Sequence, residues 1–179
     1  LNNGDWRISA GRNLSLSTAT QIDNKNGLLQ AGDTLDLSAP VFSGIGGTMS
    51  APNIGITTNN FASSGIQFLV AGNLRLNIAD LLDNRSGLIG AANLDIKAGT
   101  LLNSDGRIES PGALAIDAGR VDNPGGTVAA TGTKALTVKT VGSLINQAGL
   151  IGGNGDVGLV GGDLDNRGGK VQSLGNLTV

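Results

Sequence analysis

Cysteine, histidine and tyrosine are absent from this 179-residue chain. Without cysteine there is no disulfide framework and no thiolate metal site. Without histidine the usual general base and the commonest metal ligand are missing, and a Ser-His-Asp arrangement is impossible. Aromatic residues are 2% of the chain, one Trp and three Phe, so few rings exist to fill a broad core. Four Pro are too few for a Pro-rich disordered segment. Charge is sparse as well: 12 basic and 14 acidic residues give a formal net charge of -2, and no Lys/Arg run reaches three. Nucleic acid is therefore not an expected partner. No apolar run approaches the ~18 residues of a membrane span, and Leu1 to Asp5 lack the basic-then-apolar layout of a signal peptide.

What the chain does have is glycine, 30 of 179 residues, together with 39% hydrophobic residues, mostly aliphatic. No G-X-Y period supports collagen. Enough apolar surface exists to bury, but only in a thin aliphatic core.

That core is organised by a repeat. Units open on Leu1, Ile22, Phe42, Phe61, Leu82, Leu101, Val121, Leu144 and Leu164, at spacings of 19 to 23 residues, and are numbered here as coils 1 to 9. Seven places after each opener stands an apolar residue: Ile8, Leu29, Met49, Phe68, Ile89, Ile108, Val128, Ile151 and Val171. Farther on comes an apolar-x-apolar pair, from Leu14/Leu16 in coil 1 to Leu177/Val179 in coil 9. Alternation at period two is the signature of strands. No segment holds helical periodicity for three turns without an interrupting glycine.

Two places after the opener stands Asn3, Asn24, Asn84, Asn103, Asn123, Asn146 or Asn166, with Gly44 and Ser63 breaking the column. Five places after it stands Gly27, Gly47, Gly87, Gly106, Gly126, Gly149 or Gly169, with Trp6 and Ile66 as exceptions. Gly65 beside Ile66 suggests a one-residue deletion in coil 4. The glycines are expected to supply positive φ at a corner, and the asparagines to stack as a structural amide ladder. Each unit reads as strand, Asn-x-x-Gly corner, short strand, Gly- or Asn-containing corner, then Leu-x-Leu strand. Three corners per unit predict a triangular coil, so the fold is expected to be all-β, a right-handed parallel β-helix of nine coils forming one segment over residues 1–179. At the ~4.8 Å strand spacing nine coils span about 40 Å.

Asp23, Asp83, Asp122 and Asp165 fall one place before the Asn column and are expected to face solvent as solubility residues. From Leu37 to Leu74 there is no charged residue, and Phe42, Phe61 and Phe68 fall within that stretch. Two readings apply to it: a ring stack filling a wider core, or a lateral contact band.

The remaining carboxylates are scattered: Asp5, Asp33, Asp36, Asp80, Asp95, Asp105, Glu109, Asp117, Asp156 and Asp163. Units this uniform offer no long loop to wall a substrate cleft, so no catalytic residue and no enzyme activity is expected. Gly152-Gly153-Asn154-Gly155-Asp156 is similar to a calcium-binding G-G-x-G-x-D repeat, but its Asp comes one place early and the motif occurs once. No metal site and no cofactor are expected.

The phrase L-x-N-x-x-G-x-I-x-A followed by L-x-L, as in Leu82 to Ile96, resembles the haemagglutinin repeats of filamentous haemagglutinin and of CdiA-type contact-dependent growth inhibition effectors. The resemblance covers essentially the whole chain and departs only at Trp6 and in coils 3 and 4. It implies an internal segment of a much longer secreted, cell-surface exoprotein of a Gram-negative bacterium, exported by two-partner secretion through an outer-membrane transporter. It further implies a stalk that holds adhesive, receptor-binding or toxin regions away from the cell, or else an adhesin segment that itself binds a receptor or glycan.

Overall fold

A computed structural model describes all residues, 1–179. It contains strands and turns and no helix, and every strand pair in it is parallel. Parallel neighbours about 20 residues apart mean that each coil lies on the equivalent part of the one before, which is the solenoid that the period requires.

The inward columns run in register from end to end. On the Leu-x-Leu face, Leu14 pairs Leu35, Leu35 pairs Ile54, and the series continues through Leu74, Leu94, Leu114, Leu136 and Val157 to Leu177. On the opener face the series is Ile22, Phe42, Phe61, Leu82, Leu101, Val121, Leu144, Leu164. Thirty-six buried residues form one continuous core. Fully burying one such aliphatic side chain is worth about 2 kcal/mol, and each lies against its own equivalent in the neighbouring coil. Units of 19 to 23 residues stay in register because the surplus is spent at corners. The longest, coil 7, places two of its extra residues between the strands Thr127–Ala130 and Leu136–Thr140 and the third between Thr140 and Leu144.

Two details differ from the expected coil. The third corner is not a turn in the middle of the rod: Asn53–Ala62, Asn73–Asp83, Asn93–Leu102 and Leu114–Asp122 are continuous strands that pass from the Leu-x-Leu face to the next opener. In the second of these a register shift between Ile78 and Leu81 makes the bend. A further inward column there, Thr58, Ile78, Ala98, Ala118 and Thr140, is buried. The face between the first and second corners is also split. One sheet ends at Gln67–Leu69 and another begins at Leu88–Gly90, so the break falls between coils 4 and 5.

Candidate functional site

The densest constellation of polar groups inside the rod is the first corner. Asn3, Asn24, Asn84, Asn103, Asn123 and Asn146 are buried, and each Nδ2 that has an Asn in the next coil donates to that residue's Oδ1 at 2.5 to 2.7 Å. The remaining Nδ2 proton goes to a corner carbonyl, as from Asn103 to Gly106 O and Thr127 O. No buried side-chain nitrogen or oxygen lacks a partner. A run of amides linked this way polarises cooperatively and leaves no buried group unpaired.

The glycine column has a different cause from the one the sequence suggests. In all nine coils the left-handed residue is one place earlier: Asp5, Asn26, Gly46, Gly65, Ser86, Asp105, Gly125, Ala148 and Gly168 have φ between 52° and 74°. The column glycines do not share that conformation; they are glycine for want of room. A Cβ on Gly27, Gly47, Gly106, Gly126, Gly149 or Gly169 would sit 2.0 to 2.3 Å from the backbone oxygen of the Asn in the preceding coil. Stacking at ~4.8 Å leaves no space for it.

Coil 4 therefore carries no deletion. Gly65 is its left-handed residue, and Ile66 occupies the glycine position with the same turn bond, Ile66 N to Ser63 O, that Gly27 makes to Asn24 O. Ile66 fits because coil 3 has Gly44 where Asn would stand: a Cβ on Gly44 would lie 2.6 Å from Ile66 Cδ1. The isoleucine, 6% exposed, fills the place of the missing amide. The ladder is thus in two pieces, Asn3 to Asn24 and Ser63 to Asn166, the second starting with Ser63 Oγ against Asn84 Oδ1. Around the interruption the corner loosens. Asn26, Ser86, Asp105, Gly125 and Ala148 donate their backbone N–H to the next coil, whereas Gly46 and Gly65 do not.

A second, exposed amide ladder at the next corner was missed by sequence reasoning: Asn73 Nδ2 donates to Asn53 Oδ1 and Asn93 Nδ2 to Asn73 Oδ1. Its signal was present, an Asn immediately before the Leu-x-Leu pair in five of nine units.

The Asp column is only half-exposed and makes more of the corner than a solvated charge would. Asp23, Asp83 and Asp165 accept the backbone N–H two residues on, forming Asx turns. Asp83, Asp122 and Asp165 also pair with Arg85, Arg120 and Arg167. Hydrogen bonding to Arg85 holds the Asp83 carboxyl below its ordinary value against an opposing effect of burial. Arg167 and then Gln147 hold Asp165 well below the usual carboxylate range. The three arginines are shifted up by the same bonds.

Phe42 and Phe61 are 4% and 1% exposed, their rings stacked at 5.4 Å, and Phe68 meets Phe61 edge-on at 6.3 Å. The first two rings are core filling, as the ring-stack reading has it, and take no part in a lateral contact band; the large apolar residues that stretch exposes are Val41, Ile45 and Leu69.

Nowhere do three carboxylates converge. Asp156, in the calcium-like stretch, accepts from the backbone and side chain of Asn176 in coil 9. The largest concavity is an open trough of about 400 Å³ on the Leu-x-Leu face, formed because Gly55 lacks a side chain between Asp36 and Arg75, with Asp95 and Lys97 at its far side. On one side of it Arg75 Nε donates to Asp95 Oδ2, its neighbour in the next coil, at 3.4 Å.

A rod with stacked amide corners and a continuous apolar core is a repeat-built β-solenoid. The particular repeat is identifiable. The haemagglutinin repeat model matches residues 2–44, 69–133 and 125–179, and the chain belongs to that family. The stretch left between the first two matches, 45–68, holds Ile66 and the loosened corner. Searches of curated proteins and of solved structures found no match.

Proposed function

We propose that this segment is a stalk within a large secreted filamentous exoprotein, exported by two-partner secretion through an outer-membrane transporter and displayed at the bacterial cell surface. Its task is distance: it projects adhesive, receptor-binding or toxin regions of a haemagglutinin-type adhesin or a contact-dependent growth inhibition effector. The observation that carries this reading is the unbroken register of the opener and Leu-x-Leu columns, which makes length additive at ~4.8 Å per coil. The absence of cysteine fits a chain that crosses an oxidising compartment unfolded. Excision of one whole coil, residues 101–120, is expected to shorten the rod by ~5 Å in small-angle scattering with folding retained. Labelled segment is expected not to bind target cells saturably, and saturable binding overturns the stalk reading.

One feature favours the second reading, an adhesin segment that binds a receptor or glycan. The trough at Gly55 brings carboxylates, guanidinium, ammonium and hydroxyl groups together on an outward face. Under that reading Arg75→Glu with Lys97→Glu abolishes cell binding; retention of binding by that variant removes the trough from consideration.

A further inference from the structure

We propose that the Leu1 end of the rod accepts only a coil whose Asn-column residue is glycine, and rejects in-register stacking of an ordinary Asn-bearing coil, including the Asn166 coil of a second copy. This selectivity of the axial surface holds whether the segment is a stalk or a binding module.

The corner obeys a pairwise rule across adjacent coils. Wherever coil n carries Asn, coil n+1 carries Gly three places past its own Asn-column residue, because a Cβ there would strike the Asn backbone oxygen or amide. The rule has one internal exception, and it is compensated: Gly44 in coil 3 faces Ile66 in coil 4. Even with that compensation the corner retreats. The N–H of Gly46 makes no bond to coil 4, and a Cβ on Gly65 would come no nearer than 3.5 Å to Gly46 N.

Trp6 occupies the same position in coil 1. Its turn is regular, with Trp6 N bonded to Asn3 O, and it faces coil 2 normally through Leu28 N to Trp6 O. The conflict is confined to the other side of coil 1, where the indole is 76% exposed. Indole is larger than the isoleucine that already required Gly44, so an Asn in an approaching coil meets a ring in the space of its amide; the crowding of the carbonyl oxygen by the Cβ is common to any side chain there and is met, as at Ile66, by the retreat of the corner. A glycine there leaves a pocket that the indole can enter, as Ile66 enters the one above Gly44. Two-coil stacking therefore carries a code at this end, Gly opposite a large apolar residue, distinct from the Asn-opposite-Gly code of the other corners.

Trp6 is the single tryptophan of the chain and reports on the contact directly. The sequence of coil 5, Leu82 to Thr100, is placed ahead of Leu1 as an additional coil, once unchanged and once with Asn84→Gly in that copy. The glycine version is expected to shield Trp6 from acrylamide, shift its emission to the blue and raise Tm. The unchanged version is expected to leave Trp6 quenchable, and Trp6→Gly in that version to raise Tm as the coil docks. Shielding of Trp6 by both versions, shielding by neither, or no gain in Tm from Trp6→Gly overturns the proposal.

Discussion

From Leu82 to Lys170 the first corner is one unit repeated: a buried Asn donating to the next Asn, a glycine with no room for a side chain, and a backbone N–H reaching the following coil. From Phe42 to Leu69 the faces still pair column on column, yet the amide is replaced by Gly44, the glycine by Ile66, and the corner N–H groups of Gly46 and Gly65 point at no neighbour. Stacking of the faces and stitching of the corners are therefore separable. Parallel pairing with apolar burial keeps the coils in register, and the amide ladder tightens corners already placed by it. A swap of one amide for one aliphatic side chain is absorbed within two coils, which is what nearest-neighbour energetics in a solenoid predicts.

The comparison can be erased outright by restoring the rule. Ile66→Gly alone opens a cavity and is expected to cost about 4 kcal/mol, and Gly44→Asn alone drives its side chain into Ile66 Cδ1. Together they rebuild the ladder from Asn24, so the double variant should return to within about 1 kcal/mol of the parent, a coupling of about 3 kcal/mol or more in a denaturant-melt cycle. Additive losses would show that the two residues do not compensate one another.

Alanine at two glycines sharpens it next. Gly126→Ala puts a Cβ 2.1 Å from Asn103 O and should cost about 3 kcal/mol. Gly65→Ala meets only Gly46 N, at an ordinary contact distance of 3.5 Å, and suffers only its positive φ, about 1 kcal/mol. Equal losses in thermal melts would mean that crowding is not what selects the column.

Hydrogen exchange reads the stitching itself. The amides of Gly46 and Gly65 should exchange about fivefold or more faster than those of Ser86, Asp105 and Gly125, the equivalent of one net inter-coil hydrogen bond, about 1 kcal/mol. Uniform protection would deny that the corner of coil 4 is loose.

The smallest effect lies in the Asp column. The carboxyls of Asp83 and Asp165 are held below their ordinary range by arginine, so their contribution is complete above the unfolded value, ~4, and is lost as pH falls toward the folded one. Asp83→Asn with Asp165→Asn should flatten the fall of Tm between about pH 5 and pH 2. Because these pairs lie at the surface, the change is slight and shrinks in high salt.

Much of this was legible in the chain. The opener, the seventh-place residue and the Leu-x-Leu pair announce a coil because burial against an identical neighbour demands the same apolar residue at the same place in each unit, and such a demand is visible as a column. The Asn column was legible for the same reason, since an amide ladder works only if each rung repeats. The positions of Phe42 and Phe61 followed from the opener column, although only their burial decided between core filling and a contact surface.

Composition and period by themselves determined a thin, aliphatic, parallel solenoid. What only the tertiary structure decided was why each corner residue is what it is. The glycines are set by a carbonyl in the preceding coil, some 20 residues away in sequence, and the left-handed turn residue is a neighbour that shows no single residue type. Ile66 looked like a deletion until Gly44 was found beside it. A column records what a position needs in common with its equivalents; a compensation between two different columns in two different coils exists only once the coils are stacked.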